Sequence, residues 1–332
     1  MSEASDVTDA DPATPAPAAT KRSSWGRLVR HLFVAAVVVA VVVLLWRQRA
    51  DVGRALETIS VGRILLSLVL GVLGAWLPGV VWRDLLADQG FPTGRAAGQR
   101  AFFIAQLGKY LPGGIWSLVA QVSMAREMKI PGRQAATASF LGLALSIIGA
   151  LLVAGGTLPF AVPTLVTHYW WAFLAIPVLV VLLHPRSVEW WSGTAFRILR
   201  RPGEPIRLSW AVLVRSVVLL LISWVALGLH FGVLVQGLKS GHSSMWLLGI
   251  GVFALAWVAG FLIVIAPAGA GVREAALVLG FVGMLPAPEV LTVAVLSRVL
   301  LVVVDVLLAG FFTVTARFGR ADQVSSRAGD AT

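Results

Sequence analysis

Apolar positions gather into long runs, and the polar stretches between them are mostly short. The runs lie at residues 29–46, 61–82, 133–158, 169–183, 208–236, 245–266 and 289–316. A bilayer takes roughly 20 apolar residues to cross as a helix. Two shorter segments break this rhythm. In residues 106–121, QLGKYLPGGIWSLVAQ, a cation at Lys109 precedes a break at Pro112, Gly113 and Gly114, and Trp116 follows. In residues 265–275, IAPAGAGVREA, Pro267, Gly269 and Gly271 are followed by Arg273 and Glu274. Proline lacks a backbone donor and glycine carries the largest backbone entropy, so both stretches interrupt a helix. Irregular backbone at membrane depth persists only when it is packed in protein or lines a wet cavity. The arms of the first break, 101–111 and 115–128, are too short to cross singly, so they predict a re-entrant hairpin. The second break predicts another. The expected fold is an all-α integral membrane protein with about six full spans and two re-entrant helical hairpins.

Composition sharpens this. The chain has 332 residues, 58% hydrophobic and 13% charged, against roughly 25% charged in a soluble domain. Residues 1–24, rich in Ala, Pro, Thr and Ser, read as a disordered cytoplasmic tail. Residues 25–318 read as one polytopic domain, and 319–332 as a disordered C-terminal tail. Residues 47–60 carry Val52, Leu56 and Ile59 at helical spacing, as an interfacial helix would. With no cysteine, thiolate metal sites and thiol nucleophiles are excluded. His31, His168, His184, His230 and His242 show no metal-binding spacing. No cofactor is expected, and no phosphate-binding loop of the ATPase kind is present.

The net charge of +11 reads as cations facing anionic lipid and not as a nucleic-acid site. If both breaks are re-entrant, 18 Lys and Arg fall on one side: four in the N-terminal segment, three in 83–100, three in 126–133, five in 184–207 and three in the tail. Arg47, Arg49, Arg54, Arg63 and Lys239 fall on the other. This bias puts both termini in the cytoplasm. The two hairpins then enter from opposite sides, the pattern of an inverted-repeat transporter with its site near the midplane. Abundant Ala, Val, Gly and Arg point to a bacterial source and hence to the bacterial cell membrane.

The two breaks together resemble the flippase-like family that includes the transmembrane region of lysylphosphatidylglycerol synthase. Its G-K-x-x-P-G-x-x-W motif with a following arginine reads here as Gly108, Lys109, Pro112, Gly113, Trp116 and Arg126. Its second motif reads as Pro267, Gly269, Gly271, Arg273 and Glu274, with Ala268 and Ala270 in place of the usual glycine and leucine. The resemblance implies a membrane domain that moves an anionic, aminoacylated or glycosylated lipid between leaflets. Its partners would be a phospholipid or polyprenyl-linked lipid and a separate lipid-synthesising enzyme. The chain ends at Thr332, soon after its last span, so the soluble synthase domain of two-part relatives is not expected and no enzymatic activity is carried over. The alternatives are an accessory or scaffold protein for envelope lipid or glycan synthesis, or a polyprenyl-lipid glycosyltransferase. The short, nearly uncharged outer links disfavour the last of these.

Lys109 has two readings: a point charge for a lipid phosphate, or a side chain that snorkels to the cytoplasmic surface. Glu274 suits a helix N-terminus, where it caps. Arg273 does not, and so needs a ligand or a structural partner. Arg298 and Asp305 share one face of the last span and lie about 10 Å apart by helical rise. They require partners across the bundle, and Arg273–Asp305 and Glu274–Arg298 are the expected pairs. Arg215 reads as snorkelling from a span end, and Arg83 and Arg126 as loop charges near headgroups. Trp46, Trp82, Trp170, Trp171, Trp190, Trp191, Trp210 and Trp246 read as interfacial anchors. Ser240, Gly241 and His242 with Ser297 and Arg298 resemble part of a histidine-nucleophile lipid-phosphatase signature. That chemistry also needs a proline where Lys239 stands and a histidine where Val304 stands.

Overall fold

The structure is a computed structural model. It describes residues 57–111, 115–164, 208–238, 244–262 and 271–329, with scattered positions in 35–53 and 167–194. The expected first span and the loop at 184–207 lie largely outside the described residues, as do residues 169–173 of the next expected span and both helix-breaking tips. So do the candidate site residues Pro112, Gly113, Gly114, Pro267 and Gly269.

Every described element is helical. In chain order they are α1 (Val61–Asp88), α2 (Arg95–Gln106), a 3-10 turn (Leu107–Tyr110), α3 (Trp116–Glu127), α4 (Gly132–Ala161), α5 (Ala175–Leu182), α6 (Trp210–Leu238), α7 (Ser244–Leu262), α8 (Val272–Gly280) and α9 (Ala287–Gly329). Among the described residues five helices are long and apolar enough to span a membrane: α1, α4, α6, the Met245–Leu262 part of α7 and the Ala287–Phe318 part of α9. The chain is a multi-pass helical membrane protein. Residues 83–100, expected as a polar loop, are mostly helix. Here α1 runs on to Asp88 and α2 starts at Arg95. The stem of Arg83 lies against Gly98, so this arginine bridges two helices and is not a loop charge. At the far end, α9 continues past Ala316 to Gly329.

Two apolar clusters fill the interior. One gathers α4, α6, α7, α8 and the start of α9 around Trp224, Phe231, Phe253 and Phe281. The other gathers α1, α2, α3, α4, α6 and the later part of α9 around Trp82, Phe102, Phe103 and Leu141. Thus α4, α6 and α9 belong to both, while each broken stretch packs in its own cluster. Outward positions such as Leu65, Val69, Phe140, Val218 and Phe311 stay exposed and apolar, as a lipid-facing surface requires.

Two devices lock the frame. The first is the Gly228–Gly232 pair on α6, spaced as small residues are where membrane helices meet closely. A Cβ added at Gly228 would lie 2.3 Å from Cα of Ile250, and one at Gly249 would lie 3.0 Å from Cα of Gly232. Glycine is therefore required along this α6–α7 seam. The second is His230, fully buried between α1 and α9. Its Nδ1 lies 2.8 Å from the carbonyl of Ser67, and its Nε2 lies 2.9 Å from the hydroxyl of Ser297. A carbonyl only accepts, so Nδ1 carries a proton and donates to it, while Nε2 is hydrogen-bonded to the Ser297 hydroxyl. Both ring nitrogens are thereby satisfied, and the ring joins three helices.

Trp82, expected as an interfacial anchor, is buried, and its indole donates to Ser139 at 3.0 Å. Helix α1 simply runs beyond it. Trp46, Trp190 and Trp210 are exposed. Trp246 is half-buried beside Gly232. Arg215 is exposed but does not merely snorkel. It pairs with Asp84 at 2.8 Å, and nearby Asp88 accepts from the amide and hydroxyl of Ser209. Together these contacts tie the end of α1 to the start of α6.

Because the Gly228 contact is with backbone, Gly228→Ala should force α6 and α7 apart. Overpacking of this kind costs about 1–3 kcal/mol. The thermal midpoint of the purified protein should fall by several degrees, while Gly310→Ala, which meets nothing within 4 Å, should hold or slightly raise it, since alanine is the better helix former.

Candidate functional site

The helix-breaking composition at the first motif ends α2 at Gln106. The chain tightens into the 3-10 turn and becomes helical again at Trp116. Gly108 allows this, since a Cβ there would sit 2.9 Å from the carbonyl carbon of Trp116. The turn thus lies directly on the start of α3, and α2 packs along α3. The turn aims Lys109 and Tyr110 inward, while Trp116 is half-exposed on the outer side. Arg126 lies in the last turn of α3, where a cation complements the helix dipole.

At the second motif α7 ends at Leu262 and α8 begins at Val272. Gly271 has φ 85°, a left-handed conformation that favours glycine. Its amide donates to Oε2 of Glu274 at 2.6 Å, so Glu274 does cap the helix. The other oxygen, Oε1, accepts from Arg298 at 2.9 Å. One of the two expected pairs, Glu274–Arg298, is therefore present. The other is not. Asp305 pairs with Lys109 at 2.6 Å and accepts a short hydrogen bond from Tyr110. Lys109 neither stands alone nor snorkels away. It reaches α9 because Asp305 is almost wholly buried and must be neutralised.

Arg273 is the exception. Its guanidinium lies 4.5 Å from the ring centroid of Phe253. Among the described residues no carboxylate lies within salt-bridge distance of it. Arg298, Glu274, Tyr110 and Asp305 share its electrostatic neighbourhood. With two acids each committed to another cation, the cluster of Lys109, Arg273, Glu274, Arg298 and Asp305 carries one uncompensated positive charge.

These groups border one cavity of about 260 Å³, walled by α1, α2, the 3-10 turn, α3, α4, α6, α7, α8 and α9. Lys109, Tyr110, Arg273, Arg298 and Asp305 all line it, so the flanks of the two motifs, 164 residues apart at Lys109 and Arg273, share one space. Aromatic side chains supply much of the rest of the wall. Trp224 and Trp257 meet edge to face at 4.8 Å, and Trp257 stacks on Phe261 at 5.6 Å. Among the described residues no group of His, Asp or Glu is arranged to hold a metal.

Sequence reasoning overlooked Tyr110, the aromatic wall and the His230 tie. Signals existed for each. Tyr110 is one of two tyrosines in the chain and directly follows Lys109. Trp224 and Trp257 fall in mid-span, far from any interfacial belt. A histidine in the middle of an apolar span is itself a sign of a specific partner.

The family model of the lysylphosphatidylglycerol synthase TM region matches residues 33–309. No curated protein matches the chain significantly.

Glu274→Gln should leave the Arg298 guanidinium without its carboxylate. Breaking a buried pair costs about 3–5 kcal/mol, so the thermal midpoint in detergent should drop clearly. The double variant Glu274→Gln/Arg298→Gln should recover much of that loss, which a thermal-unfolding cycle of the four proteins measures.

Proposed function

The chain belongs to the lysylphosphatidylglycerol synthase TM region family, and we propose that it carries the headgroup of an anionic lipid between leaflets, with no chemical step. The observation that carries this reading is Arg273: a half-buried guanidinium on the cavity wall whose only described contact is the Phe253 ring. A cation at membrane depth costs roughly 2.5–3.5 kcal/mol on insertion scales. A structural charge would be offset by an acid, and both nearby acids are held elsewhere. A lipid phosphodiester is the complementary partner, since guanidinium binds phosphate through two parallel donors. Lys109, which lines the same cavity and is about a third exposed, would meet the same group.

The finer architecture belongs to this reading. The two broken stretches act as re-entrant hairpins of opposite orientation, forming an inverted repeat whose halves meet at the cavity. Both termini face the cytoplasm of a bacterial cell, and a separate enzyme supplies the lipid. Acyl chains stay in the bilayer while the headgroup passes through the polar cavity.

The test is translocation of a fluorescent acyl-labelled phosphatidylglycerol in proteoliposomes. Wild type should exceed protein-free vesicles. Loss of a charged hydrogen bond worth about 1.5–3 kcal/mol should slow Arg273→Gln roughly ten- to hundredfold. Its thermal midpoint should hold or rise, because a charge without a carboxylate is removed. A variant that is unstable and still fully active would assign Arg273 to structure and overturn the proposal, as would wild type that moves no lipid.

A further inference from the structure

The charge balance of the cavity also restricts what else the headgroup carries. Asp305 is shared by Lys109 and Tyr110, and Glu274 by Arg298 and the Gly271 amide. No described acid is left to receive an amine, and the site already holds a surplus positive charge. A cationic headgroup would meet repulsion and find no acceptor of its charge. The polar groups still available are neutral. Gln121 is 5% exposed and lines the cavity, yet its amide has no hydrogen-bond partner among the described residues. The side chains of Gln106, Ser117 and Ser146 also border the cavity without a described partner. These groups therefore favour a ligand that both donates and accepts.

The aromatic wall adds a shape. Trp224 is held by its own indole N–H, which donates to the Ser146 carbonyl at 2.9 Å. Trp257 is braced between Trp224 and Phe261. Fixed indole surfaces beside neutral hydrogen-bonding groups suit a ring with apolar C–H faces and a hydroxylated rim. A volume of about 260 Å³ is slightly below that of drug-sized ligand sites, which run roughly 300–1,000 Å³. It has room for a headgroup and none for two acyl chains.

We infer that the headgroup joins one phosphodiester anion to an uncharged, hydroxylated ring, a sugar or cyclitol, and is not a cationic aminoacyl group. This inference rests on the translocase reading above. It assigns Arg273 to the phosphate, Gln121 and Ser146 to ring hydroxyls, and Trp257 to the ring face.

Three lipids with one fluorescent acyl chain separate the cases in proteoliposomes: phosphatidylinositol, phosphatidylglycerol and lysyl-phosphatidylglycerol. Phosphatidylinositol should move at least as fast as phosphatidylglycerol, and the lysylated lipid about tenfold more slowly or worse. Trp257→Leu and Gln121→Leu should each slow phosphatidylinositol several-fold and change phosphatidylglycerol little. That split is one a merely misfolded variant does not produce. Faster movement of the lysylated lipid, or equal loss on phosphatidylinositol and phosphatidylglycerol in both variants, would overturn the inference while leaving the translocase reading intact. Movement of none of the three would overturn that reading, and this one with it.

Discussion

Charge cannot be left alone in an apolar medium, and α9 shows how this chain meets that constraint. The helix carries Arg298 and Asp305 on a segment otherwise made almost wholly of Val and Leu. Each would be prohibitive by itself. Each is neutralised by a residue from a different broken stretch, Arg298 by Glu274 and Asp305 by Lys109. The ion pairs thus do more than satisfy charge, since they bring two segments distant in the chain to one wall of one cavity. A purely apolar α9 would pack at least as tightly, but it would not select these partners.

The same accounting separates Arg273 from its neighbours. Stability explains Glu274, Arg298, Asp305 and much of Lys109. It does not explain a guanidinium over a phenylalanine face with no carboxylate in reach. The residue that is worst placed for folding is the one that a passing anion would make comfortable. Binding sites commonly show this arrangement, with a local cost met by a surrounding frame that is well packed.

Much of this was legible in the chain. Long apolar runs mark α1, α4, α6, α7 and α9, because a 3.6-residue period is irrelevant when a helix is apolar on all sides. The broken stretches were legible for a different reason: proline and glycine are costly where the backbone has no water to bond. Glu274–Arg298 was foreseeable from charge alone. The pairing of Asp305 with Lys109 was not. Helical rise places residues along an axis but says nothing of which neighbour packs against which face. The continuation of α1 through Arg83 and Asp84 was hidden because charges read as loop when their partners, Gly98 and Arg215, lie far along the chain. The glycine seam also escaped notice, since Gly228 and Gly232 look ordinary until α7 is laid against them.

That seam has a mechanical consequence. Helices α6 and α7 touch backbone to backbone, and the imidazole of His230 fastens α6 to α1 and α9. These parts have no slack through which to slide, so they form a stator. The flanks of the two motifs reach α9 through ion pairs, and an ion pair can be exchanged for another of equal charge where an interlocked backbone cannot. On the translocase reading proposed above, a phosphate entering beside Lys109 would compete with Asp305. The ligand itself would then be the key that releases one arm from the fixed frame.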